Sequence, residues 1–410
     1  MAVRVRVPLR ALLGRAKCLE DILMRRSAAL RTGLLYFFSL FMKKILVIDN
    51  SAMLQQGDRY VCHEGIGSFS EELRDCGNSV KLFQMSVPNK GSVSTFDIEE
   101  HGLKFAHVKR GRSKILTYMK LFFKGTTELF RHDFVYFYYP SSLRLLTLLC
   151  VIFRKHYGLY VRGMVGIDDK ISHFLYRHAD IVLTGTDLFT HNIQAQTKKA
   201  IVETIKPMVD LSEDDLCRRT HTAKTTYNVS FLARLDLEKG LIELLEATRR
   251  LTDNADIPDF HLNIYGDGTP TEIIRQKIDE LQLNDRVTMH GRVDGKENVL
   301  AALRKADIYI LPTYHEGFPR TLYEAMMSGA PIITTLVGGI PGLMKDGYNC
   351  LEIKPRSADS IEEVLRLFLT NYTDLANDLT ENGYNTVLPV FDKNRPTHAA
   401  QLHRLIHRND

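Results

Sequence analysis

The chain has 410 residues, of which 44% are hydrophobic and 25% are charged, a composition typical of a folded globular protein. The net charge of +5 is concentrated at the amino terminus, because residues 1–42 carry +6 and residues 43–410 carry −1. A nearly neutral folded part gives no indication of a nucleic-acid partner.

Residues 1–42 are rich in arginine and contain only two acidic residues, a composition that resembles a transit peptide. Their apolar stretch, Gly33–Met42, is too short to cross a bilayer, which takes about 20 apolar residues. Met42 followed by Lys43 resembles a natural start. We interpret 1–42 as an N-terminal extension that is disordered or lies upstream of the true start, with a membrane-surface anchor as the alternative.

From residue 43 onward, short apolar runs alternate with amphipathic stretches. A helix is predicted at Ser68–Cys76, and strands are predicted at Lys44–Asp49, Val80–Met85, Phe134–Tyr139, Gly158–Arg162 and Ile181–Thr184. Strands that alternate with helices indicate parallel βαβ units with helices on both faces. We therefore predict a first Rossmann-like domain over residues 43–210.

Residues 211–226 are polar and charged, which predicts a linker. A second alternating series fills residues 227–372. Its predicted helices are roughly 240–252, 271–283, 296–305, 320–328 and 359–370, and its predicted strands are Asn228–Leu232, His261–Tyr265, Arg286–His290, Asp307–Pro312, Pro331–Thr335 and Asn349–Ile353. Residues 373–410 are predicted as helices that could cross back to the first domain.

The stretch Phe231–Gly240 (FLARLDLEKG) places two cations on a loop between a strand and a helix. Arg234 follows the strand and Lys239 precedes the helix, so both lie beside the free N–H groups of a helix amino terminus. Such a place attracts anions, and a diphosphate suits the planar fork of Arg together with the point charge of Lys. Two solvated surface cations are the alternative interpretation.

The stretch His315–Glu324 (HEGFPRTLYE) contains two carboxylates eight positions apart. Glu316 is predicted on a loop at the carboxyl edge of the sheet, where doubly wound folds bind ligands. Glu324 is predicted about one turn into the next helix. Carboxylates accept hydrogen bonds from vicinal hydroxyls, so this pair could hold two polyol parts of one ligand. A solvated helix face is the alternative for Glu324, although its neighbours are apolar.

Two glycine pairs follow predicted strands. Gly266 and Gly268 come after LNIY, and Gly338 and Gly339 come after PIITT. Glycine allows close approach of the backbone to a ligand, although glycine-rich turns after strands are common.

In order and spacing, these segments resemble the donor domain of the retaining family-4 glycosyltransferases, which have the GT-B fold. The resemblance runs from about Asn228 to Leu369 and rests on FLARLDLEKG, IYGDG, RVTMHGRV, ADIYILPTYHEGFPRTLYEAMMSGAPIITT and VGGIP. The spacing of Glu316 and Glu324 matches the family signature Glu-x7-Glu. The resemblance implies an α/β protein with two Rossmann-like, doubly wound domains that face a cleft, the first binding the acceptor and the second binding the nucleotide sugar.

The resemblance also implies roles for individual residues. Arg234 and Lys239 are expected to hold the donor diphosphate and to stabilise the leaving nucleotide without a metal, and Glu316 is expected to face the donor sugar. Glu324 is expected to bind the ribose. The remaining donor-binding residues are expected to be Arg292 and Val293 by the base, Gly317, Phe318 and Pro319 near the sugar and the phosphate, and the glycines 266, 268, 338 and 339.

Other positions depart from the family pattern. Gly342 stands where many members carry an acid after the GG-x-P turn, and FVYFYYP lacks the histidine that many carry after the fourth strand of the first domain. Ser51–His63 separates the first strand from its glycine loop. The acceptor-side candidates are therefore Gly65, Gly67 and Arg162, although a lone arginine at a strand end is more often structural.

The stretch Lys104–Lys124 contains seven basic residues and no acidic residue, with Phe105, Tyr118, Phe122 and Phe123 between them. Basic and aromatic residues together could form a face that contacts an anionic membrane. A polyanion site and a solvated basic helix face are the alternatives.

The predicted function is transfer of a sugar, with retention, from a UDP- or GDP-linked donor to a hydroxyl acceptor. The acceptor is expected to be a glycan or a lipid-linked intermediate of surface polysaccharide or glycolipid assembly. We expect no cofactor, no metal and no nucleic acid. Six cysteines without a CxxC motif indicate reduced thiols and a cytoplasmic location. Within the cytoplasm, the protein could lie at the inner face of the cell membrane. The alternatives are a sugar-nucleotide epimerase of the same fold and a non-catalytic membrane-surface binding protein on a transferase fold.

Overall fold

The protein is described from a computed structural model, which covers residues 42–89, 96–162, 168–207, 211–252, 256–317, 320–392 and 394–408. The predicted N-terminal extension lies outside the described residues, except for Met42.

The first half of the chain forms one large sheet. Its strands are β1 Lys44–Ile48, β2 Met53–Gln56, β3 Arg59–Cys62, β4 Ser79–Pro88, β5 Phe96–Asp97, β6 Lys104–Lys109, β7 Phe134–Tyr139, β8 His156–Val161, β9 Ile181–Thr184 and β10 Ile201–Thr204. They pair in the order β10-β9-β8-β7-β1-β4-β2-β3-β5, with β6 also on β4. The pairs are parallel except β2–β3 and β3–β5, so the carboxyl ends of β1, β4, β7, β8 and β9 share one edge.

Helices cover both faces of this sheet, as the alternation of strands and helices predicts. The helices are α1 Glu64–Asp75, α2 Lys114–Phe130, α3 Arg144–Ile152, α4 Lys170–His178 and α5 Asp187–Gln194. Successive strand side chains point to opposite faces. Leu46 and Ile48 of β1 therefore pack in one core with α2 to α5, whereas Ile45 and Val47 pack in the other core with α1.

Two features of this domain differ from the prediction. The stretch 51–63 contains a β2–β3 hairpin, which the sequence analysis does not predict, and α1 begins at Glu64, with His63 as its N-cap. The basic stretch 104–124 is not one face, because residues 104–109 form β6 and α2 begins at Lys114. Of its four aromatic residues, three pack against a core and only Phe123 is exposed.

The second half of the chain forms a parallel sheet in the order β13-β12-β11-β14-β15-β16. Its strands are β11 Thr226–Leu232, β12 Asp259–Tyr265, β13 Val287–Gly291, β14 Ile308–Leu311, β15 Ile332–Thr334 and β16 Leu351–Glu352. The helices that follow are α6 Leu241–Thr252, α7 Thr271–Glu280, α8 Lys296–Lys305, α9 Arg320–Met327, α10 Ala358–Thr370, α11 Tyr372–Val387 and α12 His398–Ile406. The order of these elements matches the predicted series, with ends that differ by a few residues.

The stretch predicted as a linker, 211–226, packs against helices of the second domain. Asp215 pairs with Lys296 at 3.1 Å. Nδ1 of His221 lies 2.8 Å from the hydroxyl of Tyr372. Polar side chains of residues 211–226 therefore bind side chains of the second domain. This explains why the apolar pattern stops in this segment although the segment is folded.

The C-terminal helices divide between the two domains. Leu379 and Val387 of α11 belong to the core of the second domain. Helix α12 instead crosses back to the first domain, where Ala399 and Leu402 join the core beneath α1. Its first residue, His398, is buried, with Nε2 2.7 Å from the hydroxyl of Tyr136.

The two domains also meet at the turn that follows β15. An added Cβ on Gly342 would lie 3.3 Å from Cβ of Thr186, and one on Gly339 would lie 3.7 Å from the ring of Phe189. Thr186 caps α5, which follows the carboxyl end of β9. The carboxyl edges of the two sheets therefore face each other here. A side chain at position 342 would start in tight contact with Thr186, so glycine at this departure from the family pattern lets the turn pack closely against the start of α5.

Candidate active site

The loop between β11 and α6 carries Arg234 and Lys239. Asp236 organises this loop, because its carboxylate accepts a hydrogen bond from the N–H of Glu238 at 3.3 Å and pairs with Arg234 at 3.3 Å. The side chain of Arg234 is 77% exposed, so its guanidinium is accessible to an anion. The loop ends at Gly240, whose φ is 69°, and α6 begins at the next residue.

The Lys239 loop is locked onto the loop that carries Glu316. An added Cβ on Gly240 would lie 2.0 Å from the carbonyl oxygen of Pro312, so glycine is required for this packing. The N–H of Tyr314 donates to the carbonyl of Glu238 at 2.7 Å. The two loops are therefore held together by close backbone packing and a hydrogen bond.

Lys239 and Glu316 form an enclosed ion pair. Nζ lies 2.7 Å from Oε2, and the two side chains are only 19% and 18% exposed. Water screens such a pair less than a pair on the open surface. The structure thus brings together two predicted catalytic residues, and each neutralises the charge of the other.

Glu324 lies on α9 and is enclosed. Its side chain is 13% exposed, and the guanidinium of Arg320 lies 3.5 Å away. Burial raises the pKa of Glu324, while Arg320 acts in the opposite direction. The alternative of a solvated helix face is therefore wrong for this residue.

A cavity of 370 Å³ lies at the carboxyl edge of the second sheet. Its volume falls in the range of small-molecule sites, about 300–1,000 Å³. The residues that line it are Leu232, Ala233, Arg234, Tyr265, Gly266, Asp267, Arg292, Val293, Val299, Arg320, Thr321 and Glu324. Five predicted site residues thus share one cavity, and three of its walls come from β11, β12 and α9.

The Lys239–Glu316 pair does not line this cavity, but it lies close to it. Lys239 lies on the loop that carries Arg234, and Arg234 lines the cavity. The pair and the cavity are therefore placed as two parts of a site for one extended ligand would be.

The predicted glycines hold protein loops together. An added Cβ on Gly266 or Gly268 would lie 2.0 or 1.9 Å from the carbonyl oxygen of Ala233 or Leu235. An added Cβ on Gly338 or Gly339 would lie 2.0 Å from the carbonyl oxygen of Glu316 or Gly317. The loops that carry Arg234 and Glu316 therefore leave no space for a side chain at any of these four positions. Of the four glycines, Gly266 is the one that also lines the cavity.

The predicted base-binding residues follow β13. Arg292 and Val293 line the cavity, and Arg292 pairs with Asp294 at 2.7 Å. Phe318 and Pro319 lie outside the described residues. The sequence analysis does not name Tyr265, Arg320 or Thr321 as site residues. Tyr265 ends a strand, and Arg320 and Thr321 begin a helix. Such positions often bind ligands in this class of fold and could have indicated these residues.

On the acceptor side, the two glycines occupy different surroundings. Gly65 is in the first turn of α1, where its N–H donates to Nδ1 of His63 at 3.1 Å. Gly67 is buried, and an added Cβ would lie 2.2 Å from the ring of Phe96. The structure therefore gives Gly67 a packing role inside the first domain instead of a place on an open cleft.

Arg162 lies at the carboxyl end of β8 and pairs with Asp49, which directly follows β1. The guanidinium is 3.1 Å from the carboxylate, and the side chains are 45% and 2% exposed. Asp49 also accepts hydrogen bonds from the amide of Gln84 at 3.2 Å and from the N–H of Ser51 at 3.1 Å. Sequence reasoning assigned Asp49 no role, although its place at the end of the first strand marks the cleft edge.

Two further observations concern the described part of the chain only. No group of three or more histidine, cysteine or acidic side chains there is arranged to hold a metal ion. The helices described there include none with the length and apolar character that a membrane crossing requires.

Comparisons with known proteins show what this chain resembles. Residues 214–386 match the family model described as glycosyl transferases group 1. The putative colanic acid biosynthesis glycosyltransferase WcaL of Escherichia coli is 30% identical over 207 residues, which are 49% of this chain and 50% of that protein. The putative teichuronic acid biosynthesis glycosyltransferase TuaC of Bacillus subtilis is 32% identical over 176 residues, 42% of this chain and 40% of that protein.

Among solved structures, Anabaena Alr3699/HepE in complex with UDP is similar over 89% of this chain and 98% of that chain, with a TM-score of 0.64 and 16% identity. This likeness confirms the predicted GT-B fold. The chain spans about half the length of the curated relatives that it matches. The resemblance to group 1 glycosyltransferases is confirmed for residues 214–386, while retention and membership of family 4 stay predictions.

Proposed function

We propose that this chain, whose residues 214–386 match the glycosyl transferases group 1, transfers a sugar from a nucleoside-diphosphate donor to a hydroxyl acceptor with retention and without a metal. The donor is UDP- or GDP-linked. The acceptor is a glycan or a lipid-linked intermediate of surface polysaccharide or glycolipid assembly, and the enzyme works in the cytoplasm at the inner face of the cell membrane. The relatives named for colanic and teichuronic acid biosynthesis support this context.

The observation that carries the proposal is the cavity that Arg234 and Glu324 share, with the Lys239–Glu316 pair beside it. Arg234, which is exposed, and Lys239, which is paired with Glu316, are the two cations that would hold a diphosphate between them. The enclosed carboxylate of Glu324 would accept hydrogen bonds from the ribose hydroxyls. Arg292 and Val293 line the same cavity, where their backbone would contact the base.

The Lys239–Glu316 pair suggests how donor binding and chemistry are coupled. A donor phosphate competes for Lys239, and Glu316 is then released to accept hydrogen bonds from the sugar hydroxyls. Lys239 meanwhile stabilises the negative charge that develops on the leaving nucleotide. The leaving phosphate can take the acceptor proton in front-face attack, so no second carboxylate across the bond is required.

A thermal-shift screen against nucleoside diphosphates and their sugars tests the proposal. A ligand that binds the folded state alone raises the free energy of unfolding by about 2.7 kcal/mol at a hundred times its Kd. We expect one base and one sugar to raise the melting temperature most. A protein that no such ligand stabilises would contradict the proposal.

Glu324→Ala should weaken donor binding about tenfold or more, because hydrogen bonds to a charged group contribute about 1.5–3 kcal/mol. The melting temperature should stay near that of the wild type. Calorimetric titration with the donor found in the screen measures the affinity. Glu363→Ala, which removes an exposed carboxylate from α10, is the control, and an unchanged affinity in Glu324→Ala would remove the ribose role.

Product analysis separates transfer from epimerisation. A transferase forms nucleoside diphosphate together with a glycosylated acceptor, or with free sugar where water takes the place of the acceptor. Free epimerised sugar nucleotide, formed without acceptor, would instead indicate an epimerase on the same fold. Donor affinity with neither product would indicate a non-catalytic binding protein.

A further inference from the structure

The outer surfaces of three neighbouring helices in the first domain are unusually apolar. Helix α2 exposes Ile115, Leu116, Met119 and Phe123, each by 49% or more. In the described part of the chain, ten of the sixteen exposed large apolar side chains lie between residues 115 and 174. The helices α2, α3 and α4 hold their inner residues in the core, while these apolar side chains on their outer surfaces are exposed to solvent.

The exposed apolar residues lie on helices that pack side by side, α2 on α3 and α3 on α4. Phe130 at the end of α2 and Phe153 at the end of α3 are exposed by 50% and 53%, and their rings meet edge to face with centroids 5.1 Å apart. Leu145 of α3 and Ile171 of α4 are exposed by 63% and 53%. A large exposed apolar patch of this kind marks an interaction site. We call the outer surface of α2, α3 and α4 the helical face.

The helical face is also basic. The three helices themselves contain six basic residues and one acidic residue, although residues 43–410 together carry a net charge of −1. The acidic residue, Glu128, is buried against Lys81 at 2.9 Å, and Asp169, the N-cap of α4, pairs with Arg144 at 2.6 Å. The cations therefore dominate this surface, and the balancing negative charge lies elsewhere on the protein.

The helical face adjoins the cleft edge of the first sheet. Helices α2, α3 and α4 begin after the carboxyl ends of β6, β7 and β8, so Ile115, Leu145 and Ile171 in their first turns lie toward that edge. Leu145 also lines a cavity of 400 Å³ with Asn50, Pro140, Ser141, Ser142 and Arg144. A polar cluster, in which the hydroxyls of Ser141 and Ser142 donate to the amide oxygen of Asn50, thus lies next to an apolar surface.

We propose that the helical face docks on a monolayer that contains acidic phospholipids and presents a lipid-linked acceptor to the cleft. The apolar side chains enter the boundary between head groups and acyl chains, and the surrounding cations contact the phosphates. The acceptor sugar then reaches the cavity beside Leu145 while its lipid stays in the membrane. This inference rests on the proposed transferase function, since it names the class of acceptor.

Vesicle flotation tests the docking. The full chain is mixed with phosphatidylcholine vesicles, with or without phosphatidylglycerol. We expect flotation with the acidic vesicles and release by high salt. Combined replacement of Ile115, Met119 and Phe123 by serine should weaken binding more than tenfold. Lys120→Gln should weaken it about fivefold.

Matched variants keep the test specific. Ile273→Ser removes an apolar side chain that is 50% exposed on α7 of the second domain, and Lys305→Gln removes an exposed cation from α8. Both should float as the wild type does. Donor-induced thermal shift should persist in every variant, so loss of vesicle binding with an intact donor shift is a loss of docking and not of the transferase fold.

Three results would overturn the inference. The wild type could fail to float with acidic vesicles, or the triple serine variant could float as well as the wild type. Sedimentation could instead show a dimer that the triple variant dissociates, with no vesicle binding, and the helical face would then be an interface between two copies. A failed donor shift in the wild type would be a separate result, against the proposed function itself.

Discussion

Lys239→Ala should lower turnover by roughly two orders of magnitude or more, the effect of removing one charge-stabilising donor from a transition state. The structure supports this expectation because Nζ is enclosed, 2.7 Å from Glu316, and lies on a loop locked by Gly240. Turnover is measured as nucleoside diphosphate release with the donor found in the thermal-shift screen. A near-normal rate would remove Lys239 from the diphosphate site.

The same substitution leaves the carboxylate of Glu316 without its partner, which costs about 1–3 kcal/mol of stability. The double variant Lys239→Ala with Glu316→Ala should regain part of that stability, but its turnover should stay low. This pattern separates a catalytic loss from an unfolded loop. Lys305→Ala, which removes an exposed cation from α8, should change neither quantity.

The second large effect concerns acid stability through His398. This side chain of α12 is buried among the rings of Phe69, Tyr136, Tyr138 and Tyr160. Burial lowers its pKa from 6.5 to about 3. The folded protein therefore keeps His398 neutral where the unfolded chain protonates it. The resulting stability is complete above pH 6.5 and is lost progressively as the pH falls toward the folded pKa.

We expect the free energy of unfolding to fall by about 1.4 kcal/mol per pH unit between pH 6 and pH 4 from this residue alone. His221, whose pKa burial lowers to about 4, adds to the loss. Urea titrations at a series of pH values measure the slope. His398→Gln should make the slope shallower by the contribution of one histidine, even if the variant is less stable at every pH.

A control keeps this prediction separate from packing. Phe69→Leu disturbs the same aromatic cluster, because the ring of Phe69 lies 4.4 Å from that of His398, but it removes no titratable group. It should lower stability at all pH values and leave the slope as in the wild type. An equal slope in His398→Gln and in the wild type would show that His398 does not contribute to acid stability.

The second domain is the part of the molecule that sequence patterns predict best. Its sheet and helices follow from apolar runs and amphipathic spacing, because local periodicity reflects which side chains face a core. Its cavity is predictable for a related reason. Arg234, Gly266, Arg292, Val293 and Glu324 share it because each lies near the carboxyl end of a strand or the start of a helix, and parallel strands bring those ends to one edge.

Other features depend on contacts between distant parts of the chain. The β2–β3 hairpin has short, irregular strands with little periodicity, and α12 joins the first domain through residues such as Tyr136, 262 positions away from His398. The pairing of Arg162 with Asp49 likewise joins positions 113 apart. Nothing in the local pattern of either residue indicates its partner.

Sequence alone determined that the chain is an α/β protein of two doubly wound halves, with cations and carboxylates at the mouth of the second sheet, because residue type and spacing encode which positions are buried and where strands end. Tertiary structure decided that Lys239 pairs with Glu316, that the glycines hold loops together, and that the exposed apolar residues of α2, α3 and α4 lie on helices that pack side by side. The physical reason is that ion pairs, close backbone packing and shared surfaces are made across space by residues far apart in the chain.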